Sequence, residues 1–334
     1  MKHRVAIVGA GVSGLTCGVV FAEGGHGTTI FAREIGPQTT SAVAAALWFP
    51  YDVEPADKAI PWALETFRTL IDLAGTSNSG VSMIELRQFS RSKEIETPDW
   101  AIPLGARRLS DVATALCRRA DGSRGKRLDT ARPQDFRSGF SLRVPLMDTT
   151  IYLDYLAKRL LAADGLLIEN THFEKLEDVD PKYGLVINCA GIGARELVHD
   201  SNLESHRGQV AIVPRIKELP YAVVCDDPPL MYAIPRTNDC VFGGTNDLSD
   251  DRAVDSATTA RIVAECSRTL EIEKPNVLTE RVGLRPFRKS GVRIERARLH
   301  DGRTVVHDYG HGGAGFTLSW GCAAEVLQRG TASG

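Results

Sequence analysis

The chain has 334 residues, 43% hydrophobic and 25% charged, a balance that excludes a disordered or collagen-like chain and provides for a core split over two packed units. Its 40 Lys and Arg nearly cancel its 42 Asp and Glu, for a formal net charge of -2, so the charge points to no nucleic-acid partner, whose phosphates need a basic face. No apolar run approaches the roughly 18 residues of a membrane span, and the seven cysteines show no C-x-x-C pair and no His at metal-ligand spacing, which makes reduced, mostly buried thiols the expectation rather than a disulfide scaffold or a zinc motif.

The first predicted element is a strand at 4–8, a short run rich in Val and Ile. It leads into Gly9-Ala10-Gly11-Val12-Ser13-Gly14 and a helix-compatible stretch as far as Phe21. In such a turn Gly9 permits the tight bend, Gly11 removes a side chain where a pyrophosphate meets the backbone, and Gly14 lets helix and strand pack closely. The phosphate then rests on the helix N-terminus, where unpaired N–H groups and the helix dipole favour negative charge. A glycine-rich break at 24–27 ends the helix, and a strand at 28–32 completes a βαβ unit. That strand ends Phe31-Ala32-Arg33-Glu34. Glu34 is the candidate for the adenosine ribose, while Arg33 suits the adenine side or a 2′-phosphate, which leaves a nicotinamide cofactor open.

The segment 39–51 begins with the hydroxyls of Thr39, Thr40 and Ser41, continues through the small Ala44, Ala45 and Ala46, and ends Leu47-Trp48-Phe49-Pro50-Tyr51. Hydroxyls suit diphosphate oxygens and small side chains let the backbone approach a flat ring system; a buried Ala-rich helix is the plain alternative. Prolines then punctuate mixed strand-like and helical runs that read as a separate layer, and the basic stretch 118–127 reads as a solvated loop. Helical periodicity returns at 152–161 and an apolar strand at 185–189, followed by Ala190-Gly191-Ile192-Gly193, a return to the first unit. Strand-like runs at 210–213, 221–224, 231–234 and 241–242 predict an antiparallel sheet. In Gly283-Leu284-Arg285-Pro286-Phe287-Arg288 an Arg beside a fixed Pro turn offers a fork to a carboxylate, although a lone Arg is surface in most proteins. The strongest local pattern spans 306–322: its glycine run, from Gly310 through Gly315, presents backbone N–H groups to an electron-rich ring edge ahead of a helix.

In their order these motifs resemble the D-amino-acid oxidase family of flavoproteins, which includes D-aspartate oxidases. The match covers most of the chain: the turn at 8–15, the segment 39–51, Asn188-Cys189-Ala190-Gly191, Arg207-Gly208-Gln209, Tyr232-Ala233-Ile234-Pro235, Gly283 to Pro286, and Tyr309 through Cys322. The resemblance implies an α/β fold with a Rossmann-like FAD-binding domain (1–50, 143–203 and 299–334). Interleaved with it is a smaller α+β substrate domain (51–142 and 204–298) containing a mainly antiparallel sheet. The FAD contacts expected are Gly9, Gly11, Val12, Ser13, Gly14, Arg33, Glu34, Thr39, Thr40, Ser41, Ala45, Ala46, Leu47, Phe173, Gly312, Gly313, Ala314, Gly315, Phe316 and Thr317. Arg285 and Tyr232 are implied to bind the substrate carboxylate and the Gly313 carbonyl its amine, aiming Cα–H at the flavin N5 and selecting the D enantiomer. Hydride transfer of this kind needs positioning rather than a side-chain base, so no catalytic His is named. His307 and His311 either tune the flavin or are structural. The imine would hydrolyse to a 2-oxo acid and ammonia, and O2 would reoxidise the flavin with release of H2O2.

Ala46 stands where many members carry glycine, and the lid segment 225–230 is short and lacks a second active-site Tyr. A wall of Leu47, Phe49, Tyr51, Met231 and Ile234 is mostly apolar, which favours neutral, fairly hydrophobic D-amino acids. Arg236 would redirect this toward an acidic substrate if it turned inward, while Arg288 reads as a solvent- or backbone-binding residue. D-aspartate oxidase and a glycine- or sarcosine-type amine oxidase are the near alternatives. A nicotinamide dehydrogenase lacks the second glycine turn, and a non-catalytic binding protein on the same fold would not retain Arg285, Tyr232 and that turn together. The partners expected are a D-amino acid and O2, with no nucleic acid and no membrane; a homodimer is left open. Glycines interrupt the apolar run that follows the basic Lys2, His3 and Arg4, and Ala332-Ser333-Gly334 is no peroxisomal address, so the cytoplasm is the expected location.

Overall fold

A computed structural model describes residues 2–50, 53–109 and 136–332. Tyr51, Cys117 and the basic stretch 118–127 lie outside the described residues. In chain order the main elements begin with β1 (Arg4–Val8), α1 (Val12–Glu23), β2 (Gly27–Phe31), α2 (Thr40–Val43), α3 (Ala56–Ala74), β3 (Val81–Ser90), β4 (Arg107–Arg108) and β5 (Ser138–Met147). There follow α4 (Thr149–Ala162), β6 (Leu166–Ile168), β7 (Leu185–Asn188), α5 (Ala194–Leu197), β8 (Leu203–Pro214), β9 (Tyr221–Cys225), β10 (Met231–Pro235) and β11 (Asp239–Gly243). Last come β12 (Asp247–Leu248), α6 (Ser256–Leu270), β13 (Thr279–Arg288), β14 (Arg293–Arg298), β15 (Thr304–Tyr309) and α7 (Gly315–Thr331).

The first sheet has the order β14-β15-β7-β1-β2-β6, parallel from β15 to β6. Its central strand β1 reads as an unbroken apolar run because it is covered on both faces: Val5, Ala6 and Ile7 are fully buried. Val8 pairs with Phe31 on one side and Asn188 on the other, so the carboxyl ends of β1, β2 and β7 are level. The chain leaves β1 toward β2 while β7 lies on its opposite flank, the switch in direction beyond which α/β sheets bind ligands.

The second sheet has nine strands, ordered β12-β8-β11-β10-β9-β3-β5-β4 with β13 also paired to β8. The β3–β9 pair is parallel and every other pair is antiparallel. The runs read as consecutive strands are β8, β9, β10 and β11, so the α/β class with a mainly antiparallel second sheet stands. One apolar cluster runs through both layers, from Ile7 and Leu15 to Leu86, Leu142 and Ile234.

The sheets divide the chain at other places than the expected domain edges. All of β5, to Met147, is hydrogen-bonded into the second sheet, and β14 forms a hairpin with β15 in the first. Helix α3 packs on α7: the Gly321 amide donates to Thr66 Oγ1 at 3.0 Å, and a Cβ on Gly321 would meet the Trp62 carbonyl at 2.3 Å. Periodicity identifies such elements but carries no information on which sheet or helix they join. Among the described residues no helix is long and apolar enough to cross a membrane. The six described cysteines are all free and buried.

Candidate active site

A cavity of about 950 Å³ runs from the glycine turn after β1, along the segment 39–47, to the inner face of the second sheet. At its first end Gly9 has φ +109°, and a Cβ there would lie 2.4 Å from the Cys189 carbonyl oxygen. A Cβ on Gly14 would come within 1.9 Å of the Gly9 carbonyl oxygen, so Gly14 packs beneath the turn and does not line the cavity. Gly11 caps α1, and the Val12 amide donates to Ser41 Oγ at 2.9 Å. A helix N-terminus flanked by hydroxyls is a fitting cradle for a diphosphate. Thr40 and Ser41 line it; Thr39 also does, but its hydroxyl accepts from the Ala42 amide (3.3 Å) and caps α2.

Beyond β2, Glu34 faces the cavity with Oε1 3.5 Å from Arg252 Nη1 and 4.0 Å from Arg33 Nη2. Phe173 packs edge-on against Phe31, with ring centroids 5.6 Å apart, and forms the adjoining wall. Ala45, Ala46 and Leu47 line the middle of the cavity. Ala46 holds φ +53°, a left-handed conformation that favours glycine.

The second glycine turn closes the cavity from the other side. Gly310 and Gly312 have φ +86° and +55°, and the Gly312 amide donates to the Pro286 carbonyl at 2.9 Å, which fastens the turn to β13. His311, Gly312, Gly313, Gly315 and Phe316 line the cavity. Ala314 and Thr317, expected as cofactor contacts, do not: Ala314 is packed in the core, and Thr317 Oγ1 both donates to the Phe49 carbonyl and accepts from its amide, each at 3.1 Å. Thr317 therefore ties α7 to the segment 39–50. Below the turn Asp308 Oδ2 accepts from Cys17 Sγ (3.4 Å) and Cys189 Sγ (3.7 Å), and its Oδ1 is 3.1 Å from His311 Nε2. Cys322 completes a cluster that linear spacing did not reveal. A hydrogen bond with Cys189 and burial push the Cys17 thiol up, and burial does the same to Cys189 and Cys322, so the thiols stay protonated and are poor metal ligands. His307 lies off the cavity against the Asn188 amide nitrogen at 3.3 Å, and burial lowers it to about 4, a neutral structural histidine.

At the far end of the cavity the structure brings Arg285 and Tyr232 together from β13 and β10. Two glycines clear the floor for them. A Cβ on Gly208 would lie 2.5 Å from Arg285 Nη1 and Nη2, and one on Gly243 would lie 2.0 Å from the Tyr232 ring. Arg285 Nη1 donates to the Thr245 carbonyl (2.9 Å) and Asn246 Oδ1 (3.3 Å), which orients the fork. Burial raises the Tyr232 hydroxyl above its ordinary value although the Arg285 charge opposes it, so the phenol keeps a proton to donate. Gly313 lies close by, its Cβ position 3.6 Å from Arg285 Cδ.

Leu47, Phe49, Val224, Leu230 and Ile234 form the adjoining wall. Met231 does not belong to it: alternating with Tyr232 along β10, it points to the opposite face and is fully buried in a second apolar cluster. Arg236 is buried away from the cavity, with Nε and Nη2 on the two Asp239 oxygens (2.7 and 2.8 Å) and Nη1 on Thr149 Oγ1 (3.1 Å). Arg288 is neither solvent-facing nor bound to backbone alone, since its Nε donates to Asp200 at 2.8 Å. Gly243, Asn246 and Arg252 are cavity or floor residues that sequence reasoning missed; Gly208 had a signal in its Arg-Gly-Gln motif, and Asp226 stood in the lid segment 225–230 without being singled out.

The family described as FAD dependent oxidoreductase matches residues 4–329. The chain is similar to the D-amino-acid oxidase of Rubrobacter xylanophilus, at 37% identity over 328 residues that cover 97% of this chain and 94% of the relative. It is equally similar to the D-amino-acid oxidase of Streptomyces coelicolor, at 37% identity over 330 residues, 97% and 96% of the two chains. Among solved structures, glycine oxidase from Geobacillus kaustophilus shares the fold with a TM-score of 0.79 at 18% identity, covering 99% of this chain and 96% of that one.

Proposed function

Because this chain belongs to the D-amino-acid oxidase family of FAD dependent oxidoreductases, we propose that it oxidatively deaminates neutral, fairly hydrophobic D-amino acids to 2-oxo acids and ammonia, with O2 reduced to H2O2. It is a flavin enzyme, and its cavity fits FAD: the glycine cradle and hydroxyls suit the diphosphate, and the small residues 44–46 and the second glycine turn leave a slot for a flat ring. The observation that carries the substrate reading is the convergence of the Arg285 fork and the protonated Tyr232 hydroxyl at the far end of that slot.

When bound, FAD supplies the two-electron acceptor for the hydrogen on the substrate Cα. Everything else falls to the chain. Arg285 and Tyr232 hold the carboxylate, the guanidinium through paired N–H donors and the phenol through its O–H, all charge-assisted by the anionic acceptor. The Gly313 carbonyl takes the amine, so that three points fix the substrate and only one enantiomer presents its Cα–H to the ring. The first sheet with α1 and α7 carries the cofactor, and the second sheet carries the substrate. Tyr232 is buried beside Arg285 as a donor, not a base, and no side-chain carboxylate or neutral imidazole is needed at the reacting carbon. Rate comes from positioning. The locking of Arg236 onto Asp239 removes the cation that would have favoured an acidic side chain.

The test is the visible spectrum of the FAD-loaded protein during anaerobic addition of D-alanine, D-leucine, D-aspartate and their L forms in turn. Bleaching with the neutral D forms and not with the L forms is the expected outcome. Bleaching mainly by D-aspartate, or by an L form, would reject the assignment.

A further inference from the structure

The Arg207-Gly208-Gln209 motif has a use on each face of β8. Gly208 clears the cavity face for Arg285, so its two neighbours point to the other face, where both are buried. There they hold the segment 249–255, which joins the edge strand β12 to α6. Arg207 Nε and Nη2 donate to the carbonyls of Asp251 and Ala253 (3.0 and 2.5 Å). Gln209 Nε2 donates to the Asp255 carbonyl at 2.7 Å, and its Oε1 accepts from the Asp255 amide at 3.1 Å. The side chains that fall between these anchors reach the first unit. Asp250 Oδ1 accepts from Arg195 Nη1 of α5 at 3.0 Å and from Ser205 Oγ at 2.6 Å; the Ser205 hydroxyl and the Arg195 guanidinium hold this carboxyl below the usual range. Arg252 Nη1 lies 3.5 Å from Glu34 Oε1, just beyond β2. The two ion pairs run in opposite senses, the segment supplying the anion to one and the cation to the other. All four residues line the cavity, and their side chains are 35–61% exposed, which places them at its rim.

We infer that the segment 249–253 belongs to the cofactor site: it straps the adenosine end of FAD, with Asp250 and Arg252 as its two fastenings, and it sets how fast the cofactor leaves. The inference goes beyond the substrate reading and rests only on the placement of FAD, with its diphosphate at Gly11 and its ribose at Glu34. Arg252 holds the Glu34 carboxylate at the cavity, where its oxygens accept from ribose hydroxyls. Asp250, through Arg195, ties the segment down over the same end. Arg207 and Gln209 are positioning residues, since their bonds to the backbone on either side aim Asp250 and Arg252 outward. For FAD to leave past this rim both ion pairs must part. An exposed pair is worth a factor of up to about five, so the two together slow release by about tenfold. Such pairs are also screened by salt, because the Debye length falls from about 10 Å at 0.1 M to about 3 Å at 1 M.

The experiment follows loss of FAD from the diluted holoenzyme, read as the flavin absorbance that stays with the protein through rapid gel filtration. Release from the wild type is expected to quicken between about 0.1 and 1 M NaCl. At the lower salt, Asp250→Arg, which sets two guanidinium groups against each other, is expected to release FAD about tenfold faster. Adding Arg195→Asp reverses the pair and is expected to recover most of that loss, a rescue that general damage to the fold does not give. Release from the wild type that is indifferent to salt overturns the inference whether or not any variant folds. So does a wild-type rate in Asp250→Arg, or a reversed pair that holds FAD no longer than the single variant. Each of those outcomes leaves FAD binding and D-amino-acid deamination standing, because no substrate enters the measurement.

Discussion

Gly208→Ala probes the Arg285 end of the cavity without changing the charge of any residue. The new Cβ would sit 2.5 Å from both terminal nitrogens of Arg285 and 2.6 Å from Cζ, where ordinary contact begins at 3.4 Å. The guanidinium must therefore withdraw by about 1 Å, and because it is the far end of a flexible side chain, it yields while the backbone of β8 stays. Its anchors at Thr245 and Asn246 resist the shift without preventing it. A displacement of that size in a positioning group costs roughly 10²-fold in rate, equivalent to about 2.7 kcal/mol of transition-state stabilisation. Purified Gly208→Ala should bind FAD stoichiometrically by absorbance, show kcat/KM for D-leucine reduced about a hundredfold, and bind a simple carboxylate inhibitor more weakly in parallel. If the variant, fully loaded with FAD, kept kcat/KM within about threefold of the parent, the geometry assigned to Arg285 would be wrong, since roughly 1 Å of misplacement would then have no consequence.

Arg285→Ala should lose about 2–5 kcal/mol of transition-state stabilisation, measured from kcat/KM, and retain FAD; near-normal turnover would take Arg285 out of the site. Ala46→Gly relieves a residue held at φ +53°, worth about 1 kcal/mol, against up to about 1 kcal/mol of extra chain freedom in the unfolded state. Urea unfolding should therefore show no loss, and a loss above about 1 kcal/mol would contradict the strain. Asp200 is the pH-sensitive strut. Burial alone would raise it, but bonds from Arg288, Tyr309 and the Asn202 amide outweigh burial and hold it at about 2. A carboxyl lowered on folding stabilises fully above its unfolded value near 3.9 and ceases to as pH falls through about 2. Asp200→Asn should thus cost about 2 kcal/mol at pH 7, and the deficit should shrink as the pH is lowered from about 4 toward 2. A deficit that is the same at both ends of that range would rule out the ion pair as its source.

The sequence by itself determined the local parts. The strand, Gly9-Ala10-Gly11 turn and helix were legible because three glycines at that spacing have a single steric use, and the structure shows it, with Gly9 at φ +109° and Gly14 under the turn. The four runs read as antiparallel strands were legible as short apolar runs bounded by Asp, Pro and Gly clusters, and Arg285, Tyr232 and the turn at 310–315 from motifs whose order matches the family. What only the tertiary structure decided are the relations between distant segments. Period alone did not reveal that β14 joins the first sheet, that α3 packs on α7, or that Met231 faces away while Tyr232 faces the cavity, because side-chain direction depends on register and register depends on pairing partners. Arg236 was ambiguous for the same reason: a charged side chain's direction follows its partner, and Asp239 was visible only once the turn between β10 and β11 had formed. The tie from Thr317 to Phe49, across 268 positions of sequence, likewise had no local sign. Gly208 stood in a motif, but its use in clearing space for Arg285, like that of Gly243 beneath Tyr232, became plain only when β8 and β11 were laid beneath them, since a glycine required by another segment's side chain does not announce that partner. Which residue of the lid segment 225–230 reaches the wall was equally hidden, because the place of Asp226 rests on the alignment of β3, β9 and β10, which long-range burial sets and neighbouring residues do not.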